Sequence, residues 1–159
     1  MPTLNATKGA ADQNSYVTIA EADAYLDELY LTEDWFQLSD DDKARLLIMA
    51  TKQIDKMSLL YERFGSVQVR NFPVSIAGVE SGYSAAQESA ILQAWYLYRN
   101  HENIVAAGDE AIQGVKSQNL GAIQIAKSTV GVNPFRKYDQ EVFRLLAPYL
   151  DIRFSIRRA

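Results

Sequence analysis

The residues able to do chemistry are few, and their spacing points to binding rather than turnover. The one histidine, His101, stands beside Glu102 in a stretch of helical periodicity, with no second histidine to complete a metal site or a base–nucleophile pair. Cysteine is absent, which removes thiol nucleophiles, disulfides and cysteine-ligated zinc or iron–sulfur centres. No GxSxG elbow occurs, and the glycines at 9, 65, 78, 82, 108, 114, 121 and 131 form neither a Walker loop nor a dinucleotide fingerprint. Asp40, Asp41 and Asp42 make an acidic run, but they fall in the first turn of an expected helix, where the helix dipole favours negative charge without a metal. The expectation is therefore a protein that is not an enzyme and uses no cofactor and no metal.

Binding chemistry is better represented. Phe135, Tyr138 and Phe154 lie beside Arg136, Lys137, Arg153, Arg157 and Arg158, and aromatic rings interleaved with cations can stack single-stranded bases or anchor a protein partner. The tail after Leu150 alternates Ile152, Phe154 and Ile156 with Arg153, Ser155 and Arg157. That two-residue period describes a strand with one apolar side and one charged side, a pattern suited to docking on a partner's groove or sheet. Charge is divided along the chain: residues 1–115 hold 8 basic and 17 acidic residues, net −9, and residues 116–159 hold 8 basic and 3 acidic, net +5. Such a division suits an acidic protein or nucleic-acid partner, or copies paired head to tail.

The elements that must carry these residues follow from periodicity and caps. With 159 residues, 48% hydrophobic and 23% charged, the chain suits one folded domain with a core of its own. Residues 1–15 are polar and aperiodic and predict a loose N-terminal arm. Thr18 with Glu21 is a capping box, and Ala22, Tyr25, Leu26 and Leu29 follow at helical spacing, predicting a helix over about 18–31. Trp35 and Phe36 sit in the connector, as plugs between helices. Ser39 with Asp42 opens a second helix, whose Ala44, Leu47, Ile48, Thr51 and Ile54 share a face to about Met57. The stretch 59–83, broken by Gly65, Pro73, Gly78 and Gly82, reads as an ordered loop. Ser84 with Gln87 begins a long alanine-rich central helix stopped at Gly108. A β-hairpin is expected over 111–127, its strands Ala111–Lys116 and Ala122–Ala126 flanking Gly121. Val142, Leu145, Leu146 and Tyr149 form a last short helix. The fold class is mainly α: a bundle of about four helices over 16–150, a projecting hairpin, and extended arms at 1–15 and 151–159. The start of the chain has no basic, apolar leader, which predicts a soluble protein made in the cytoplasm.

Several segments together resemble one family. NSYVTIAEADAYL (14–26), WFQLSDDDKARLLIMATKQID (35–55), Phe72-Pro73, the alanine-rich helix, VKSQNLGAIQI (115–125) and VFRLLAPYL (142–150) are similar to the tailed-phage head–tail connector (adaptor) proteins, often labelled DnaT-like single-stranded DNA-binding proteins. The chain has Phe-Pro where members usually carry Trp-Pro. The resemblance implies a nonenzymatic subunit of the virion neck, in a ring of about twelve copies beneath the portal protein. Its other partners would be a tail-side connector or tail protein and the duplex genome threading the lumen, with no membrane. It assigns Ile152, Arg153, Phe154, Ile156, Arg157 and Arg158 to portal docking. Lys116, Lys127, Arg136 and Lys137 are the candidates for contact with a neighbouring subunit or with DNA. An acidic lumen lined by Asp23, Asp27 or Asp40 to Asp42 would keep the passing duplex from adhering. The alternative function is single-stranded DNA binding.

Overall fold

A computed structural model describes residues 3–100, 118–120, 123–125 and 138–151. Helices dominate the described residues: α1 (Ile19–Asp27), the single turn α2 (Glu33–Phe36), α3 (Asp40–Ile54), α4 (Tyr83–Arg99) and α5 (Gln140–Leu146), which runs into a 3-10 turn at Ala147–Tyr149. Two antiparallel hairpins complete them, β1 (Val74–Ile76) with β2 (Val79–Ser81), and β3 (Gln118–Leu120) with β4 (Ile123–Ile125).

Helix α1 begins as its sequence dictates. Thr18 Oγ1 accepts from the Glu21 amide at 3.2 Å while the Glu21 carboxylate accepts from the Thr18 amide at 2.7 Å, so two orphan donors are satisfied reciprocally. The helix stops at Asp27, four residues short of the boundary expected from its apolar spacing. Thr32 explains the early stop, because its hydroxyl donates to the carbonyls of Leu26 and Leu29 at 2.7 and 3.1 Å and so caps the helix end. The chain then turns through Leu31, at φ 63. Leu29, Tyr30 and Leu31 are left exposed, while Trp35, carried by α2 rather than by an irregular connector, is fully buried.

Helix α3 starts at Ser39, whose hydroxyl accepts from the Asp42 amide at 3.2 Å. The capping box is half-formed: the Asp42 carboxylate bonds the Ser39 hydroxyl at 2.7 Å instead of its amide. Ala44, Leu47, Ala50, Thr51 and Ile54 form the buried face, and burying one such leucine contributes roughly 1.5–3 kcal/mol. Opposite lies α4, whose Ala86, Ala90 and Ala94 are buried completely. Alanine at every fourth position lets α3 and α5 approach the α4 backbone closely. Across this junction Gln93 Nε2 donates to Gln53 Oε1 at 2.6 Å, and Gln93 Oε1 accepts from the Asp139 amide at 3.0 Å.

Helix α4 does not use the expected Ser84 cap. It begins at Tyr83 behind Gly82, which has φ 80 and no side-chain cap. A glycine is required there on two grounds: the left-handed backbone, and the rings of Phe72 and Tyr149, which a Cβ would meet at 3.0 Å. The helix is described to Arg99, so the expected stop at Gly108 lies outside the described residues.

The stretch expected as a loop over 59–83 contains β1 and β2. Their two-residue turn places Ala77 at φ 50 and Gly78 at φ 79, the left-handed pair whose twist matches a tight hairpin. A further antiparallel bridge, Arg63↔Val74, sets residues 62–64 beside β1, and Leu59↔Leu150 ties the chain end after α5 to the same segment. The second hairpin has its strands at 118–120 and 123–125. This differs from the expected first strand at Ala111–Lys116, which lies outside the described residues.

The N-terminal arm is pinned rather than loose. Gln13 and Ser15 are buried, and the amides of Asn14 and Ser15 both donate to the Asn5 carbonyl, at 3.0 and 3.1 Å. Replacing Gly82 by alanine is expected to lower stability by about 1–2 kcal/mol, from the left-handed backbone alone, and by more where the two rings cannot yield. A urea titration of G82A against the parent chain checks it.

Candidate functional site

Two ionic knots hold the elements from which any surface must be built. In the first, Asp55 at the end of α3 receives the Tyr16 hydroxyl at 2.5 Å, Arg70 Nη1 at 2.8 Å and the Asn71 amide at 3.2 Å. Its carbonyl receives Asn71 Nδ2 at 2.7 Å, and Arg70 Nε donates to the Gln13 carbonyl at 2.8 Å. The Tyr16 oxygen in turn accepts from the Phe72 amide at 3.2 Å. Burial first, and the Asp55 charge second, push the Tyr16 phenol above its ordinary range, so it remains a donor. In the second knot, Asp23 receives Trp35 Nε1 at 2.7 Å and Lys43 Nζ at 3.0 Å. The buried Lys43 ammonium also lies 5.9 and 5.5 Å from the ring centres of Trp35 and Phe36.

These knots support an exposed apolar surface on the segment from Leu59 to Gly82. Leu60, Phe64, Val67, Val69 and Val79 are exposed there, Val67 by 70% and Val79 by 65%. A cleft of about 320 Å³ opens among Lys8 of the arm, Phe64, Val67, Pro73 and Glu80. Lys8 pairs with Glu80 across it and lies 5.4 Å from the Tyr83 ring centre.

The described residues carry a strongly negative field. They contain nine basic and seventeen acidic residues, net −8. Five of the nine cations are already paired: Lys8 with Glu80, Lys43 with Asp23, Arg45 with Asp42, Arg70 with Asp55 and Arg144 with Glu141. A phosphate backbone approaching this body meets repulsion. No cluster of three or more His, Asp or Glu residues that could hold a metal occurs among the described residues, and no helix among them is long and apolar enough to cross a membrane.

Most of the residues singled out by sequence are not brought together here. Lys116, Lys127, Arg136, Lys137 and Phe135 lie outside the described residues, as do His101 and the tail residues Ile152, Arg153, Phe154, Ile156, Arg157 and Arg158. Tyr138, expected as a ring free for a partner, is committed to the body: its hydroxyl donates to the Gln53 carbonyl at 3.0 Å and its ring stands edge-on to Phe143 at 5.3 Å. Asp23, expected as a lumen charge, is spent on Lys43 and Trp35. Asp27, Asp40 and Asp42 are exposed and Asp41 is half-buried. The surface around Val67, Val79 and Glu80 falls in the stretch 59–83 expected as an ordered loop; its β1–β2 hairpin was not foreseen, although the alternation in VSI-AG-VES carries the signal.

The class this describes is a small, mainly helical body with short hairpins and an exposed apolar loop surface. Residues 3–159 match the family described as "Putative DnaT-like ssDNA binding protein", and the chain belongs to that family. No curated protein and no solved structure matches the chain.

Removing the Asp55 carboxylate leaves the half-buried Arg70 guanidinium without its ion partner. Asp55→Ala is expected to cost about 3 kcal/mol, and Tyr16→Phe, which deletes a hydrogen bond to a carboxylate and the acceptor of the Phe72 amide, about 1.5–3 kcal/mol. Chemical denaturation of both variants measures the two losses side by side.

Proposed function

We propose that the chain is a nonenzymatic structural subunit of a tailed-phage neck, a head–tail connector that forms a ring beneath the portal and lets the genome pass. The single observation that carries this reading is the charge layout: a body of net −8 joined to a basic chain end. A subunit bordering a DNA channel needs a surface to which phosphate does not adhere, and it needs separate segments that grip neighbouring proteins. An acidic body with Asp27, Asp40 and Asp42 exposed meets the first need. The arms and the apolar surface over 59–82 meet the second. The resemblance of SYVTIAEADAYL, LSDDDK and the long alanine-rich helix to connector proteins supports the same reading.

A second reading, single-stranded DNA binding, is favoured directly by the description of the family to which the chain belongs. On the charge layout its affinity would come from Lys116, Lys127, Arg136, Lys137, Arg153, Arg157 and Arg158 and not from the helical body. Its logarithm would fall with the logarithm of salt at about 0.7 per phosphate neutralised.

The two readings separate in one pair of measurements. Electron microscopy of the protein co-purified with the portal encoded beside it is expected to show a second ring layer, and titration with labelled single strands at physiological salt is expected to show no saturable binding. Bare portals together with a salt-sensitive titration, from protein whose circular dichroism is that of a folded helical chain, would transfer the assignment to the second reading.

A further inference from the structure

The outer edge of β2 is an open strand edge. The register pairs Val74 with Ser81, Ser75 with Glu80 and Ile76 with Val79. In a hairpin closed by a two-residue turn the pair flanking the turn exchanges hydrogen bonds, and alternation then leaves Ser75 and Glu80 with backbone groups directed away from each other. The Ser75 amide accordingly donates outward, to the Glu62 carbonyl at 2.8 Å. Glu80 is its counterpart on the other edge, and its amide and carbonyl have no backbone partner among the described residues. Side chains sort by the same alternation. Glu62, Ser75 and Glu80 share one face, while Val74 and Val79 share the other, where Val74 is fully buried and Val79 is 65% exposed.

We propose that the C-terminal segment of a second copy of this chain, residues 152–158, adds as a strand to this edge. Only one parity of pairing satisfies both faces. With Arg153, Ser155 and Arg157 on the carboxylate face, an arginine replaces Lys8 as the partner of Glu80, and Ile152, Phe154 and Ile156 fall on the face of Val79. The opposite parity sets arginine against Val79 and leaves the Glu80 carboxylate facing an apolar side chain. Backbone bonds to Glu80 supply adhesion and the alternation supplies register.

The donor is another copy because of where the described chain ends. Leu150 bridges Leu59 in antiparallel sense and the Asp151 amide donates to the Ser58 carbonyl at 3.0 Å. The chain therefore leaves toward Met57 and the end of α3, away from residues 62–64, on which β1 and β2 are stacked. An arm on one copy and its receptor on the next make a heterologous contact, which closes into rings or runs into filaments. The inference rests on neither functional reading, and it gives the tail a receptor other than the portal.

Sedimentation velocity of the full chain over a concentration series tests it. Self-association is expected for the parent chain, weakened at least about tenfold by Glu80→Lys. It is expected to return when Arg153→Glu and Arg157→Glu are added to the same chain. Glu80 is exposed, and thermal melting confirms that each variant is folded. A parent chain that stays monomeric to millimolar concentration overturns the proposal. So does an association indifferent to Glu80→Lys, or one that the charge exchange fails to restore. Ring formation on the portal is scored separately, so failure here leaves the connector reading to its own experiment.

Discussion

One carboxylate organises this molecule. Asp55 stands where α3 ends, the N-terminal arm returns and the segment leading to β1 begins, and it accepts from Tyr16, Arg70 and the Asn71 amide at once. These partners are far apart in sequence, so no local propensity could bring them together. Once assembled, the site is costly to leave half-made, because a polar group withdrawn from water and left without its partner loses more than the intact hydrogen bond contributes. That asymmetry fixes Phe72 at the side of Tyr16, 6.2 Å between ring centres, and Phe72 in turn packs edge-on to Tyr149. The arm, the hairpin segment and the end of α5 thus depend on the state of a single side chain.

A second knot, at Asp23, works in the same way near the opposite end of α3, where it seats Trp35 and the Lys43 ammonium against α1. Both knots turn cations into structure, and the consequence is electrostatic. Lys43 is buried and Arg70 half-buried, Lys8, Arg45 and Arg144 are paired at the surface, and the described residues keep a net charge of −8. Such a body does not attract phosphate.

Local signals in the sequence marked the helices well. The Thr18–Glu21 box, the Ser39 cap and the apolar row of α3 depend on neighbours within a turn or two, and the structure places them, with Ala50 in the buried face and Ile48 half-buried beside it. What escaped depended on distance. Helix α1 ends early because Thr32 reaches back to its carbonyls, and α4 begins behind Gly82, where a left-handed backbone and the rings of Phe72 and Tyr149 disfavour a side chain. The arm looked loose because Gln13 and Ser15 are polar. Their burial is offset by hydrogen bonds, Gln13 Nε2 to the Ser15 carbonyl at 2.9 Å and Ser15 Oγ to the Val17 carbonyl at 2.7 Å, which composition cannot reveal. The surface at β2 was hidden for a related reason: three-residue strands are too short for periodicity to register, and only the Ala77-Gly78 turn betrays them.

The segment 59–82 joins these two themes. It is anchored at three places, by Asp55 through Arg70 and Asn71, by Gln68, whose amide nitrogen donates to the carbonyls of Arg70 and Pro73 at 2.8 Å each, and by the bridge to Leu150. A stretch held so firmly gains nothing in stability from exposing Phe64, Val67 and Val79, since each apolar side chain left in water forgoes the free energy that burial would give. Exposed apolar residues on a rigid frame, bordered by Glu62 and Glu80 and beside an unfilled strand edge, cost little conformational entropy to dock. The folded body thus presents an open strand edge beside exposed apolar side chains, one half of the contact that strand addition requires.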